Sequence, residues 1–265
     1  MKGGTVPNHL EITWISYAEK KFWKIDTALP EQKILSLFQK GYNYVNRSDK
    51  EVHETYNGLI IGLAPGGVVV LWLDGVRKVE IGRFQAKETF VNKLDFQPVK
   101  TDETQEQFYE LWYKIAVPES SREEIKKNGI PFTTWDDYRI HYNWRYHTIS
   151  YKAGADELVT FEGTDYVNGE FAMFDTKTKM LLTKEFLPKP LPWRTDFSYV
   201  EHSSSIEFDK TEIMQAFKTI AKKHPNEPIE IVIRVGFEYR GLTFEVKCGE
   251  DSIPLEKVKV TMYDV

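Results

Sequence analysis

Apolar and polar residues alternate over residues 11–16 (EITWIS), the two-residue period of a half-buried strand. Tyr17-Ala18-Glu19-Lys20 turns the chain, and residues 21–27 (KFWKIDT) predict the hairpin partner. The period then changes. Pro30 suits the first position of a helix, Ile34, Leu35, Leu37 and Phe38 give it an apolar face, and Gly41 ends it. Residues 42–57 are polar and read as a loop. Residues 58–73 (GLIIGLAPGGVVVLWL) form the longest apolar stretch, interrupted by Pro65 and its neighbouring glycines. A membrane-spanning helix needs about 20 apolar residues without such breaks. The stretch therefore predicts two buried strands, 59–63 and 68–73, around the turn Ala64-Pro65-Gly66-Gly67. A third strand, 78–85, follows the turn Asp74-Gly75.

The middle of the chain has a helical period. Phe108, Leu111, Trp112 and Ile115 share one face of a helix over 102–116, and a short charged helix over 119–128 ends at Gly129. Residues 130–147 (IPFTTWDDYRIHYNWRYH) are aromatic and basic with no clean period. Strands return at 158–162, 170–174 and 180–186. Pro188, Pro190 and Pro192 mark an extended segment that a central strand cannot hold. A strand at 205–208 leads to Asp209, which with Glu212 forms a capping box for a helix buried through Ile213, Met214, Phe217 and Ile220. Strands at 229–235, 242–247 and 257–263 complete the chain.

The two ends share an order of elements: hairpin, helix, then three strands. Gly62, Gly67 and Gly75 recur at the spacing of Gly236, Gly241 and Gly249, and Ile34, Leu35 and Phe38 at that of Ile213, Met214 and Phe217. Glycines are common at turns, so the match is weak alone, and the shared order gives it weight. The expected fold class is α+β: two β-rich halves, related by an internal repeat of antiparallel sheets each with a packed helix, and a helical and aromatic insert between them. The halves are 1–90 and 156–265, the insert is 91–155, and the three are expected to pack as one unit.

Composition removes several classes. Cys248 is the one cysteine of 265 residues, so no intrachain disulfide can form and a cysteine-rich metal site is excluded. A content of 41% hydrophobic residues, with 16 Phe, 14 Tyr and 7 Trp, is too apolar for a disordered chain. The formal net charge of −5 argues against a nucleic-acid partner. No apolar leader follows Met1, so no signal peptide is visible.

Catalytic patterns do not emerge. Gly62-x-x-x-Gly66-Gly67 lacks the Lys-Ser/Thr of a phosphate-binding loop. There is no Gly-x-Ser-x-Gly, and His202 beside Ser203-Ser204-Ser205 reads as a loop. The histidines form no HxH or HExxH pattern, so no metal site and no cofactor are expected. Cys248 has no base nearby in sequence and reads as structural. Asp136-Asp137 and Glu123-Glu124 are adjacent and diverge, whereas paired glycosidase carboxylates must face one cleft. What remains is Trp135, Tyr138, Arg139, Tyr142, Trp144 and Arg145. Trp, Tyr and Arg dominate binding hot spots, which makes these six the candidate partner-binding residues. The competing reading is a satellite core whose aromatics pack and whose arginines pair with Asp136 and Asp137.

Some of these motifs also carry a likeness. Residues 62–73 (GLAPGGVVVLWL) with 79–86 (VEIGRFQA) resemble the bacterial family catalogued as domain of unknown function 2931. So do Gly129-Ile130-Pro131-Phe132, then Trp135, Tyr138 and Tyr142-Asn143-Trp144-Arg145, and later Tyr166-Val167-Asn168-Gly169-Glu170. The motifs span residues 10–175, and the first is the most specific. The resemblance implies a periplasmic lipoprotein with an N-terminal leader and a lipidated cysteine, although no cysteine lies near Met1, so the leader was removed or this chain is not lipidated. Members are often encoded beside type VI secretion effectors of the lipase class. That context implies a non-catalytic immunity protein, a toxin inhibitor whose partner is a cognate phospholipase-type effector. The alternatives are an envelope-associated hydrolase whose site forms only in three dimensions, and a structural envelope lipoprotein.

Overall fold

Alternation becomes pairing in the first two strands of a computed structural model, which describes residues 6–46, 48, 50–96, 102–150, 159–173, 185–199, 202–237 and 241–264. Strand β1 (His9–Ser16) lies antiparallel to β2 (Lys21–Ala28), with Trp14 opposite Trp23 and Ile12 opposite Ile25. β8 (Lys87–Thr89) adds to the other edge of β2. Helix α1 (Glu31–Lys40) buries Ile34, and Lys33 Nζ donates to the Ile81 carbonyl at 2.7 Å. Strands β5 (Gly58–Ala64), β6 (Val68–Asp74) and β7 (Val79–Gln85) follow one another through short turns and pair in the order β5-β6-β7. Connections this short join antiparallel neighbours. β6 is the buried one: Val68, Val69, Leu71 and Leu73 are each at most 3% exposed.

Glu19 ties the two turns of this half together. Its carboxylate accepts from Gly66 N at 3.0 Å and from the Trp23 indole at 3.0 Å. Helix α2 is Lys93–Phe96. Helix α3 (Gln105–Ala116) starts with a capping box, in which Thr104 Oγ1 accepts from Gln107 N and Gln107 Oε1 accepts from Thr104 N. Its Phe108 is buried, and Trp112 stacks on Tyr17 at 5.6 Å. Helix α4 (Glu119–Asn128) ends at Gly129, whose φ of 75° suits a residue without Cβ. These segments, Met1–Lys40, Asn57–Leu73 and Glu80–Trp135, form one compact unit.

The second unit comprises Gly41–Tyr56, Asp74–Val79 and Asp136–Val265. Part of the expected loop at 42–57 is a hairpin, β3 (Tyr42–Val45) with β4 (Glu51–Glu54). The aromatic stretch divides into helix α5 (Thr134–Asp137) and strand β9 (Tyr142–Ser150). β10 (Val159–Tyr166) and β11 (Phe171–Met173) come next; the strand expected at 180–186 falls mostly outside the described residues. β12 (Leu187–Lys189) is an edge strand, which its Pro188 permits, and Pro192 opens β13 (Pro192–Tyr199). β14 (His202–Glu207) leads to helix α6 (Lys210–Lys223), capped by Asp209 Oδ1, which accepts from Glu212 N at 2.8 Å. Glu212 does not close the expected box. Its carboxylate instead accepts from the backbone of Glu256 and Lys257, each at 2.9 Å.

Strands β15 (Ile229–Val235), β16 (Leu242–Cys248), β17 (Asp251–Leu255) and β18 (Lys259–Asp264) follow. The sheets have the orders β11-β10-β13-β14-β18 and β12-β9-β15-β16-β17. Among the described registers only β9 with β15 is parallel. Helix α6 packs Ile213, Ala216, Phe217 and Ile220 against β15, β16 and β17. Full burial of each large side chain contributes about 1.5–3 kcal/mol.

The fold is α+β with mostly antiparallel sheets. Its two halves repeat one topology. β1-β2-α1-β5-β6-β7-β8 runs as hairpin, helix, meander and a last strand that returns to the second hairpin strand. β13-β14-α6-β15-β16-β17-β18 does the same, with β18 on β14 where β8 lies on β2. The β3–β4 hairpin interrupts the first copy. β9 to β12 extend both sheets of the second.

Candidate functional site

Strand β9 decides the fate of the aromatic segment. Its side chains alternate, so Trp144, Tyr146 and Thr148 face the core while Arg145 and His147 face away. Trp144 is 0% exposed; it meets Tyr146 and Phe217 edge-on, and its indole donates to the Pro190 carbonyl at 3.1 Å. A side chain so enclosed contacts no partner, so Trp144 leaves the expected binding set. Within β9 the aromatics Tyr142, Trp144 and Tyr146 share one face and alternate with Asn143, Arg145 and His147; the period is hidden because the stretch as a whole also takes in helix α5.

The other five residues are partly buried. Tyr142 lies 5.3 Å from Phe217 and packs on the core, and burial, then the nearby Asp137 carboxylate, raises its phenol pKa. Tyr138 also packs on the core, with Lys210 Nζ 5.8 Å from its ring, and burial raises its pKa. The Arg139 carbonyl lies 2.9 Å from His141 Nδ1. Trp135 stands on α5.

Arg145 pairs with a residue far along the chain, Glu230. Its Nε lies 2.9 Å and its Nη2 2.5 Å from Glu230 Oε1, and the guanidinium sits 4.4 Å from the Phe186 ring. His147 Nδ1 reaches the other oxygen of Glu230 at 3.1 Å. Burial alone would push the Glu230 carboxyl up. The hydrogen bonds from Arg145 and His147, with their charges, hold it below the usual carboxylate range. This cluster clips the parallel pair β9–β15 on its outer face.

The first unit offers a different surface. Residues 59, 61 and 63 of β5 point to one side. Leu59, Ile60, Ile61 and Leu63 are between 36% and 42% exposed, although the stretch was expected to be buried. β5 ends its sheet, with β6 as its only strand neighbour among the described residues. Gly62 on the opposite face lies so close to the Trp72 ring that a Cβ there would come within 2.7 Å. The exposed row runs into a cleft of about 340 Å³ lined by Thr13 to Ser16 of β1, Leu63, Ala64, Pro65 and Phe96. Sequence reasoning missed this surface because a run of Leu and Ile reads as core whichever side it faces.

A third grouping was also missed. His224, Glu227 and Cys248 each bring a nitrogen, oxygen or sulfur to within 4.8 Å of the others. The spacing His224-x-x-Glu227 was the available signal, but Cys248 reaches it only through the pairing of β15 with β16.

A family model described as Protein of unknown function (DUF2931) matches residues 1–133, half of the chain. The match ends before Trp135, so the motifs from there to Glu170 lie outside it. No curated protein and no solved structure matches the chain.

Proposed function

This chain belongs to the DUF2931 family, and from that premise we propose that it is a non-catalytic binding protein: an immunity protein that neutralises a cognate type VI secretion effector of the lipase class in the periplasm. The observation that carries the reading is β5. An edge strand presents unpaired backbone groups, and folded proteins normally blunt such edges with charge, proline or a covering element. Here Leu59, Ile61 and Leu63 lie open on the edge strand instead, beside an open cleft. A partner strand added to β5 would satisfy its backbone, and the cleft would take an apolar side chain from that partner. The net charge of −5 would steer the chain toward a basic cleft.

The test is to mix the chain with the product of a neighbouring lipase-class gene in its genome. A 1:1 complex and loss of lipase activity are expected. Ile61→Asp, at a site already open to solvent, should change stability by less than about 0.5 kcal/mol. It should weaken binding by more than about 2 kcal/mol. Undiminished lipase activity in excess chain would sink the proposal. If Tyr138→Ala or Arg139→Ala releases the effector while Ile61→Asp does not, the contact lies on the aromatic segment and not on β5.

A further inference from the structure

Helix α6 stops at His224, whose N–H still reaches the Ile220 carbonyl. The chain then turns through Pro225 and Asn226, the latter at a φ of 66°, and this turn carries Glu227 back beneath the helix end. Cys248 is the last residue of β16, and the Gly249-Glu250 turn sets Asp251 opposite it. Two turns that are distant in sequence thereby bring an imidazole, a thiol and two carboxylates to one place.

The three ligand atoms of His224, Glu227 and Cys248 lie within 4.8 Å of one another, and two of the separations are those of a ligand set. Glu227 Oε2 lies 3.6 Å from His224 Nδ1 and 3.6 Å from Cys248 Sγ. A tetrahedral zinc with Zn–N and Zn–O of about 2.0 Å and Zn–S of about 2.3 Å separates its ligand atoms by about 3.3–3.6 Å. The other ring nitrogen of His224, Nε2, lies 2.8 Å from Asp251 Oδ2. A metal-bound histidine characteristically donates its far N–H to a carboxylate, which fixes the tautomer and aims the near nitrogen at the ion.

We propose that His224 Nδ1, Glu227 and Cys248 Sγ form a binding site for zinc(II) or a similar borderline-soft divalent ion, with Asp251 orienting His224 and water completing the coordination. The N, O, S donor set selects such an ion over magnesium or calcium, which take oxygen ligands. Charge supports the choice. Cys248 is buried, with the Glu227 carboxylate 3.6 Å from its sulfur and Asp251 opposite it across the β16–β17 turn. Lys223 is the nearby counterion, but it bonds the outer carboxylate, Asp251, at 3.1 Å. A divalent ion would meet this negative potential from within. Binding forms Zn–S, Zn–N and Zn–O bonds and breaks the S–H bond, and the proton passes to buffer. Glu227 is more than half exposed, so the ion has a route in from solvent.

The experiment uses the full chain, stripped with chelator and titrated with zinc(II) and with cobalt(II). One zinc per chain should bind with release of about one proton, read by calorimetry in two buffers of different ionisation enthalpy. Cobalt should give the near-ultraviolet thiolate charge-transfer band and the intense visible bands of a tetrahedral site. Cys248→Ala should abolish the thiolate band, and His224→Ala should weaken binding by at least about 100-fold. Asp251→Asn should weaken it by about 10–100-fold while the band persists. Absence of a thiolate–cobalt band in the unmodified chain overturns the proposal without any variant. Zinc binding that survives unchanged in Cys248→Ala also overturns it, because another group then holds the ion. The effector-binding reading is untouched by either result.

Discussion

Lys189 and Trp144 share one enclosed corner of the second unit. The lysine is 6% exposed, its Nζ lies 4.1 Å over the indole, and burial lowers its pKa to about 7. The tryptophan face favours the ammonium form and burial opposes it. With nearly the whole side chain out of water, burial is the larger effect. In an unfolded chain the same amine titrates near 10.4. Between about pH 7 and 10.4 the unfolded state therefore binds more protons than the folded one, and stability rises with pH across that window. Below about pH 7 the penalty is complete. Lys189→Met keeps the stem and removes the charge, so the variant should be more stable than the parent at about pH 6, with a difference that shrinks toward pH 10. Urea unfolding at several pH values measures this, and a difference independent of pH would show that burial of the amine is not its origin.

At the scale of elements, the turn between β5 and β6 is the most constrained segment of the first unit. Gly66 and Gly67 have φ of 81° and 70°, and a Cβ on Gly67 would lie 2.5 Å from the Trp23 ring. Gly67→Ala is expected to cost about 1–3 kcal/mol, since the left-handed backbone resists a side chain and the indole must also move. Gly249→Ala has a positive φ of 57° with nothing within 4 Å, so it should cost less. Denaturant melts of the two variants separate backbone preference from steric clash. Equal losses would assign the whole effect to the backbone. The Pro65-Gly66-Gly67 break in an apolar run made this turn and its flanking strands readable, and the apolar–polar period did the same for β1, β2 and α1. The β3–β4 hairpin was not readable, because polar cross-strand pairs join it: Asn43 with Glu51 at 3.3 Å, Tyr44 with Glu54 at 3.0 Å and His53 with Asn43 at 2.7 Å. A hairpin joined in this way leaves no hydrophobic rhythm. The six candidate binding residues are Trp, Tyr or Arg by type, and type alone does not tell the two faces of β9 apart. Trp144 and Arg145 are sequence neighbours with opposite surroundings.

At the scale of the whole chain, the repeated topology was legible through its glycines. Gly67 and Gly241 occupy equivalent turns, and both adopt positive φ, 70° and 86°. A turn that needs this backbone keeps its glycine even where the flanking side chains differ. Less legible was what the copies do with their meanders. In the first, β5 ends its sheet and exposes Leu59, Ile61 and Leu63. In the second, β9 pairs with the equivalent strand β15, whose Ile231, Val232 and Ile233 are 0% exposed. The same structural slot is thus an open edge in one copy and the centre of a five-stranded sheet in the other. Local stability follows burial and hydrogen-bond protection, so amide exchange should differ between equivalent strands. Amides of β15 should exchange only through global unfolding, whereas those of β5 not bonded to β6 should exchange orders of magnitude faster. Exchange measured by mass spectrometry in the free chain tests this, and equal protection of β5 and β15 would contradict it. On the proposed function, a bound partner should then slow β5 and leave β15 unchanged, because of these two strands only β5 ends its sheet and has an edge for a partner to pair.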